Sequence, residues 1–213
     1  MNNKIMSKVF GWMFIGLLVS FLTGYVISQN ETMITNVFGG AWWILLIAEF
    51  GLVIFLSARI AKMSPTTAKV SFLLYSFVSG LTFSSIFIVY EMSSIIFVFL
   101  ITGLIFGIFS FLGYTTNIDL TKIRTYLLMG LLAVIICSVI NIFIGSSTFN
   151  TVLSILTIII FIGYTAYDVQ KVVRLYEDNV LPEDNLAIYG ALELYLDFIN
   201  LFLSLLDLLG KDN

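Results

Sequence analysis

The chain has 213 residues, 60% hydrophobic and only 11% charged, with a formal net charge of −3. Soluble domains average about 45–50% apolar and about 25% charged residues, so a soluble globular fold is excluded and an all-α multispan membrane protein is expected, a single domain over residues 1–213. No basic run suits nucleic acid. The absence of histidine removes Ser-His-Asp and Cys-His catalysis and histidine metal sites. Cys137 is the single cysteine, so an intrachain disulfide and a thiolate metal site are both excluded; within "LLAVIICSVINIF" it reads as a small buried hydrophobe.

Seven segments are long and apolar enough to cross about 30 Å of hydrocarbon. The first, 9–28, follows a basic start, but no small-x-small cleavage site closes it, so it reads as a span rather than a signal peptide. The others are 39–58, 69–90, 93–113, 125–145, 150–171 and 186–209. The runs are continuous, not alternating, which favours helices over a barrel. Pro65 and Pro182 fall in the connections, and "RLYEDNVLPEDN" reads as a solvated cytoplasmic loop. "SG" at 79–80 and the glycines at 103 and 107 read as small-xxx-small packing sites, Ser84–Ser85 as packing, and Trp12, Trp42 and Trp43 as belt or packing residues.

Basic residues set the orientation. Lys4, Lys8, Arg59, Lys62, Lys69, Lys122, Arg124, Lys171 and Arg174 fall on one side of this seven-span scheme, and Lys211 alone on the other. The N-terminus is therefore expected in the cytoplasm and the C-terminus outside.

Four acids fall inside spans and away from their ends: Glu49, Asp168, Glu193 and Asp197. A charge at the bilayer centre costs at least ~2.5–3.5 kcal/mol on insertion scales, so such residues usually face the bundle interior and serve function. In the seventh segment Glu193, Asp197, Asn200, Ser204 and Asp207 are spaced 4, 3, 4 and 3, one polar stripe on an apolar helix. That pattern places the segment at the centre of the bundle. Asp168 is expected about 8–10 Å, and Asp197 about 15 Å, from the cytoplasmic ends of their helices. Two close carboxylates at low dielectric resist ionising together and share a proton, so such a pair can sense pH without histidine. A nearby arginine such as Arg59 would compete with that proton.

"AEFGLVIFLSARI", "FVSGLTFSSIFIVY", "GYTT" followed by Asp119, "TAYDVQK" and "LYLDFINLFLSLL" together resemble the Bax inhibitor-1 (transmembrane Bax inhibitor motif) family, in particular its bacterial inner-membrane members. The resemblance runs from the first span to the seventh. It implies seven transmembrane helices with the seventh wrapped by the other six, and a pH-sensitive calcium leak channel. Asp168 and Asp197 match the family's pH-sensing pair, Arg59 its latch, and Glu49 a path-lining glutamate. Glu193, Asp207 and the longer loop before the seventh segment depart from the family pattern.

The leading expectation is a cation leak gated by Asp168 and Asp197. Carboxylates with no mid-span cation favour cation passage, and Glu49, Glu193, Asp197 and Asn200 offer the oxygens that calcium prefers. Asp168 and Asp197 are also the candidate calcium ligands. The alternative is a membrane-embedded regulator or partner of a quality-control protease, without transport. An intramembrane aspartyl protease would carry Gly-x-Gly-Asp and Pro-Ala-Leu motifs, which this chain lacks, so no enzymatic activity is expected. No cofactor is expected; the partners are the lipid bilayer and calcium or another cation.

Overall fold

A computed structural model describes residues 3–39 and 42–212. Nine α-helices follow one another among them: α1 (Asn3–Ser28), α2 (Glu31–Phe38), α3 (Trp42–Arg59), α4 (Pro65–Phe83), α5 (Ile86–Val89), α6 (Met92–Thr115), α7 (Arg124–Ile144), α8 (Ser147–Glu177) and α9 (Glu183–Leu209). Single 3-10 turns, Ile60–Lys62 and Leu120–Ile123, precede α4 and α7. Among the described residues, six helical stretches are long and apolar enough to cross a membrane: Lys4–Ser28, Trp42–Lys62, Pro65–Val89, Met92–Thr115, Leu120–Ile144 and Ser147–Glu177; the seventh expected segment forms α9, which is not among them. The chain is a multi-pass α-helical protein. Gly40 and Ala41, inside the expected second span, lie outside the described residues.

The helices begin where local chemistry starts them. Ser64 accepts a hydrogen bond from the Thr67 N–H at 3.1 Å, and Pro65 occupies the first position of α4, where no donor is needed. Three expectations about where helices begin and end are corrected. Residues 29–38, left between the first two expected spans as a connection, are not a simple loop: Asn30 accepts from the Met33 N–H at 3.1 Å and starts α2, with Glu31 in its first turn. The third segment is not one continuous helix. Ser84 and Ser85 donate their hydroxyls to the carbonyls of Leu81 and Thr82, at 2.6 and 2.9 Å, and this local bonding accompanies the break between α4 and α5.

The third correction concerns "RLYEDNVLPEDN". Most of it is helix, because α8 runs on to Glu177 and α9 starts at Glu183. At 31 residues α8 is about 46 Å long, well beyond the hydrocarbon thickness. Asp168 therefore stands about 14 Å from the end of its helix, and Asp197 about 21 Å from the start of its own, at ~1.5 Å per residue. Both stand further from a helix end than the expected loop allowed.

The chain forms two compact units. The first comprises Met1–Met92, Leu175–Tyr195 and Asp212–Asn213; the second comprises Ser93–Arg174 and Leu196–Lys211. In the first unit α1 and α4 pack through Gly80, where a Cβ would fall 2.7 Å from the Ser20 carbonyl oxygen. This is the close backbone approach that small residues allow. Ser20 also joins α1 to α4 and α9: its hydroxyl lies 2.7 Å from the Ser76 carbonyl and 2.6 Å from the Tyr195 hydroxyl. Tyr195 packs edge-on against Phe72 and Tyr75. Asn185, expected in a solvated loop, is buried. Its amide donates to the carbonyls of Ile60 at 2.6 Å and Met63 at 2.9 Å, which pins the start of α9 to the turn after α3.

In the second unit Phe198 and Phe202 of α9 pack on Phe99 of α6, and Phe198 also on Phe106. Gly113 lets α6 touch α8: a Cβ there would fall 2.2 Å from the Ala166 carbonyl oxygen. The glycines at 103 and 107 do not pack as expected. No atom lies within 4 Å of a Cβ built on either, so this face of α6 is open. Cys137 is half-buried rather than fully buried. Leu192, Leu194, Leu201 and Phe202 are all fully buried, so α9 is covered on its apolar faces, as a helix hydrophobic nearly all round requires.

Candidate functional site

Asp168 and Asp197 both belong to the second unit, and both are buried, at 2% and 3% exposure. They stand on α8 and α9, helices that pack at their far ends through a polar staple. There Asp207 accepts from the Asn150 amide at 2.9 Å on each carboxylate oxygen and from the Ser154 hydroxyl at 2.6 Å. Asp207, the departure from the family pattern, is therefore already hydrogen-bonded by α8. Asn200, one helical step beyond Asp197, donates its amide to the Leu196 carbonyl at 2.8 Å.

Lys171 supplies the cation at Asp168. Its ammonium lies 3.3 Å from Asp168 Oδ1, one turn along α8, and 5.8 Å from the Tyr167 ring. Sequence reasoning counted Lys171 only toward orientation. The signal was present in "DVQK", where an acid and a base three residues apart share a helix face. Arg59, the expected latch, is the last residue of α3 in the first unit; its side chain is exposed and makes no ion pair among the described residues.

Glu49 is half-buried on α3 in the first unit. Both of its oxygens are held by hydroxyls of α4: Ser79 donates at 2.6 Å and Thr82 lies at 3.2 Å. Ser79 and Thr82 fall three apart in "SGLT", on one helix face, but neither was singled out for this role. Glu193 is half-buried on α9 within the same unit. Among the described residues, no three Asp, Glu or Cys side chains gather closely enough to hold a metal ion.

Two ionic clusters lie at helix ends. In the first unit Lys4 and Lys8 meet Glu183 at 3.3 and 2.8 Å, and Lys8 and Lys69 meet Asp184 at 3.2 and 3.0 Å. These lysines hold both carboxyl groups below the usual range, Lys8 acting most on Glu183 and Lys69 most on Asp184. In the second unit Asp119 accepts from Arg174 at 2.7 Å and caps the turn by accepting from the Thr121 N–H at 3.0 Å. The Thr121 hydroxyl and then Arg174 bring Asp119 down to about 2.

A family model described as "Inhibitor of apoptosis-promoting Bax1" matches residues 2–213. A protein of Borreliella burgdorferi is 45% identical over 99% of this chain and 93% of its own. Inner membrane protein YbhL of Escherichia coli K12 is 39% identical, over 97% and 91%. A membrane protein of Streptococcus pyogenes serotype M1 is 32% identical, over 99% and 94%. Matched end to end by the family model and by relatives of nearly its own length, the chain belongs to the Bax inhibitor-1 family.

Proposed function

We propose that the chain is a pH-sensitive leak pathway for calcium or a related cation in a bacterial inner membrane, gated by Asp168 and Asp197. The observation that carries the reading is the near-complete burial of both carboxylates, at 2% and 3% exposure, within one unit. Burying carboxylates among apolar helices is costly unless they work there. In this reading α9 is the seventh span, the N-terminus is cytoplasmic and the C-terminus outside. Glu49, Glu193 and Asn200 are the path residues of this reading. Calcium passes as cargo and is not a resident cofactor. The protein does no covalent chemistry. The inner-membrane placement draws support from the E. coli relative, whose name states it.

The test is calcium flux into liposomes holding the purified protein, across a pH series, with Asp168→Asn and Asp197→Asn beside the wild type. Flux that varies with pH in the wild type and loses that dependence in both variants supports the gate. Absence of flux at every pH ends the channel reading and leaves that of a membrane-embedded regulator of a quality-control protease.

A further inference from the structure

We infer that the loop between α6 and α7 braces the turn of α8 that carries Asp168, with Gln170, Arg174 and Asp119 as its positioning residues. The inference deepens the gate reading and rests on it for its functional meaning; the contacts that carry it are independent of conduction.

α8 is held on both sides of Asp168. Two residues before it, Ala166 lies against Gly113 of α6 with no room for a Cβ. Two residues after it, Gln170 is buried at 9% exposure and bonds the loop as a strand partner would. Its amide nitrogen donates to the Ile118 carbonyl at 2.9 Å, and its amide oxygen accepts from the Leu120 N–H at 2.9 Å. One turn further, Arg174 donates to that same Gln170 oxygen at 2.7 Å, pairs with Asp119 at 2.7 Å, and bonds the Thr121 hydroxyl.

An exposed Asp–Arg pair taken alone contributes little. Here it closes a network whose centre is a buried amide, and removing that amide would leave two backbone groups unpaired. Gln170 and Arg174 are four residues apart and so share a face of α8. Rotation or sliding of α8 at Asp168 must break the bonds from Gln170 and Arg174 or drive Ala166 into Gly113. Asp168 and Asp197 are sealed from solvent in this form, so the brace as seen holds a closed arrangement.

The test uses the full-length protein in liposomes, and its first readout needs no conduction. Lys171, ion-paired with Asp168 and 24% exposed at its side chain, reports on that turn through its rate of modification by an amine-reactive reagent, read by peptide mass spectrometry. Asp119→Asn, Arg174→Gln and Gln170→Leu are each expected to raise the Lys171 rate several-fold. The charge-swapped pair Asp119→Arg with Arg174→Asp is expected to bring it back toward wild type. Rates equal to wild type in all three single variants, or a swap no better than its two singles combined, would overturn the inference. The second readout is calcium flux at one fixed pH, expected to rise several-fold in the single variants and to fall again in the swap. If the wild type carries no flux, the gate reading fails while the labelling result still decides the brace. If the wild type conducts and the variants label faster with flux unchanged, the brace does not position the gate.

Discussion

Lys171 and Asp168 form an ion pair at 3.3 Å across one turn of α8, with the carboxylate side chain 3% exposed and the lysine side chain 24% exposed. Both residues stand toward the C-terminal end of α8, a helix longer than the hydrocarbon is thick. A lysine there can lay its stem along apolar surface and keep its charge near the interface. Asp168 thus has a charge partner within its own helix.

Removing the cation should therefore cost stability. Breaking a fully buried ion pair costs about 3–5 kcal/mol. Partial exposure of Lys171 reduces that, and Lys171→Met is expected to cost about 1–2 kcal/mol. In Asp168→Asn the same substitution should cost less, because the charge pair is already gone. Chemical unfolding in detergent of wild type, both singles and the double gives the coupling. Strict additivity would show that the contact carries no energy.

Asn185 offers a larger and purely structural test. Asn185→Leu leaves the carbonyls of Ile60 and Met63 without their donor in a buried setting. The expected loss is about 2 kcal/mol, the desolvation penalty of unsatisfied buried groups. Asn185→Asp should also destabilise, since it replaces the donating amide by an acceptor. A thermal midpoint unchanged in Asn185→Leu would contradict the pinning role.

These contacts show what the sequence made legible. Six of the seven expected spans followed from continuous apolar runs, because hydrocarbon thickness fixes helix length; the seventh segment is the helix α9, whose acids keep it from qualifying by apolarity. Asp168 and Asp197 stood out because carboxylates are rare among such residues. The partners did not stand out. Ser79, Thr82, Gln170 and Asn185 are ordinary polar residues whose roles depend on which helix lies opposite, and no periodicity encodes that. The glycines show the same limit from the other side. Gly80 meets a neighbouring backbone, while Gly103 and Gly107, in an equally suggestive pattern, meet nothing. The break at Ser84–Ser85 and the helix α2 depended on local side-chain bonds that a hydropathy pattern passes over.

Asp207 should prove structural. Its carboxylate is filled by Asn150 and Ser154, and it sits in the last turns of α9, where the helix dipole disfavours an anion. Asp207→Asn loses acceptor capacity but relieves that repulsion, so the net cost is expected below about 1 kcal/mol. The pH dependence of calcium flux should match wild type. A flattened pH profile in Asp207→Asn would instead place this residue in the gate.

The Asp119 turn should fail in acid within a definite window. Thr121 and Arg174 hold the folded carboxyl at about 2, below the ~3.9 of an aspartate in an unfolded chain. A group whose folded value is depressed contributes stability that is full above the unfolded value and fades as pH falls toward the folded one. The contribution of Asp119 should thus be complete at pH 5 and above, decline below about pH 4, and be gone near pH 2. The comparison is the thermal midpoint of wild type minus that of Asp119→Asn, measured in detergent at each pH. This difference isolates Asp119 from Glu183 and Asp184, whose lysine-held carboxyls are also depressed and weaken the first unit over acid pH in both proteins alike. A gap that stays constant from pH 6 to pH 2.5 would mean that Asp119 makes no charge-dependent contact, and the capping and arginine bonds drawn at this turn would be wrong.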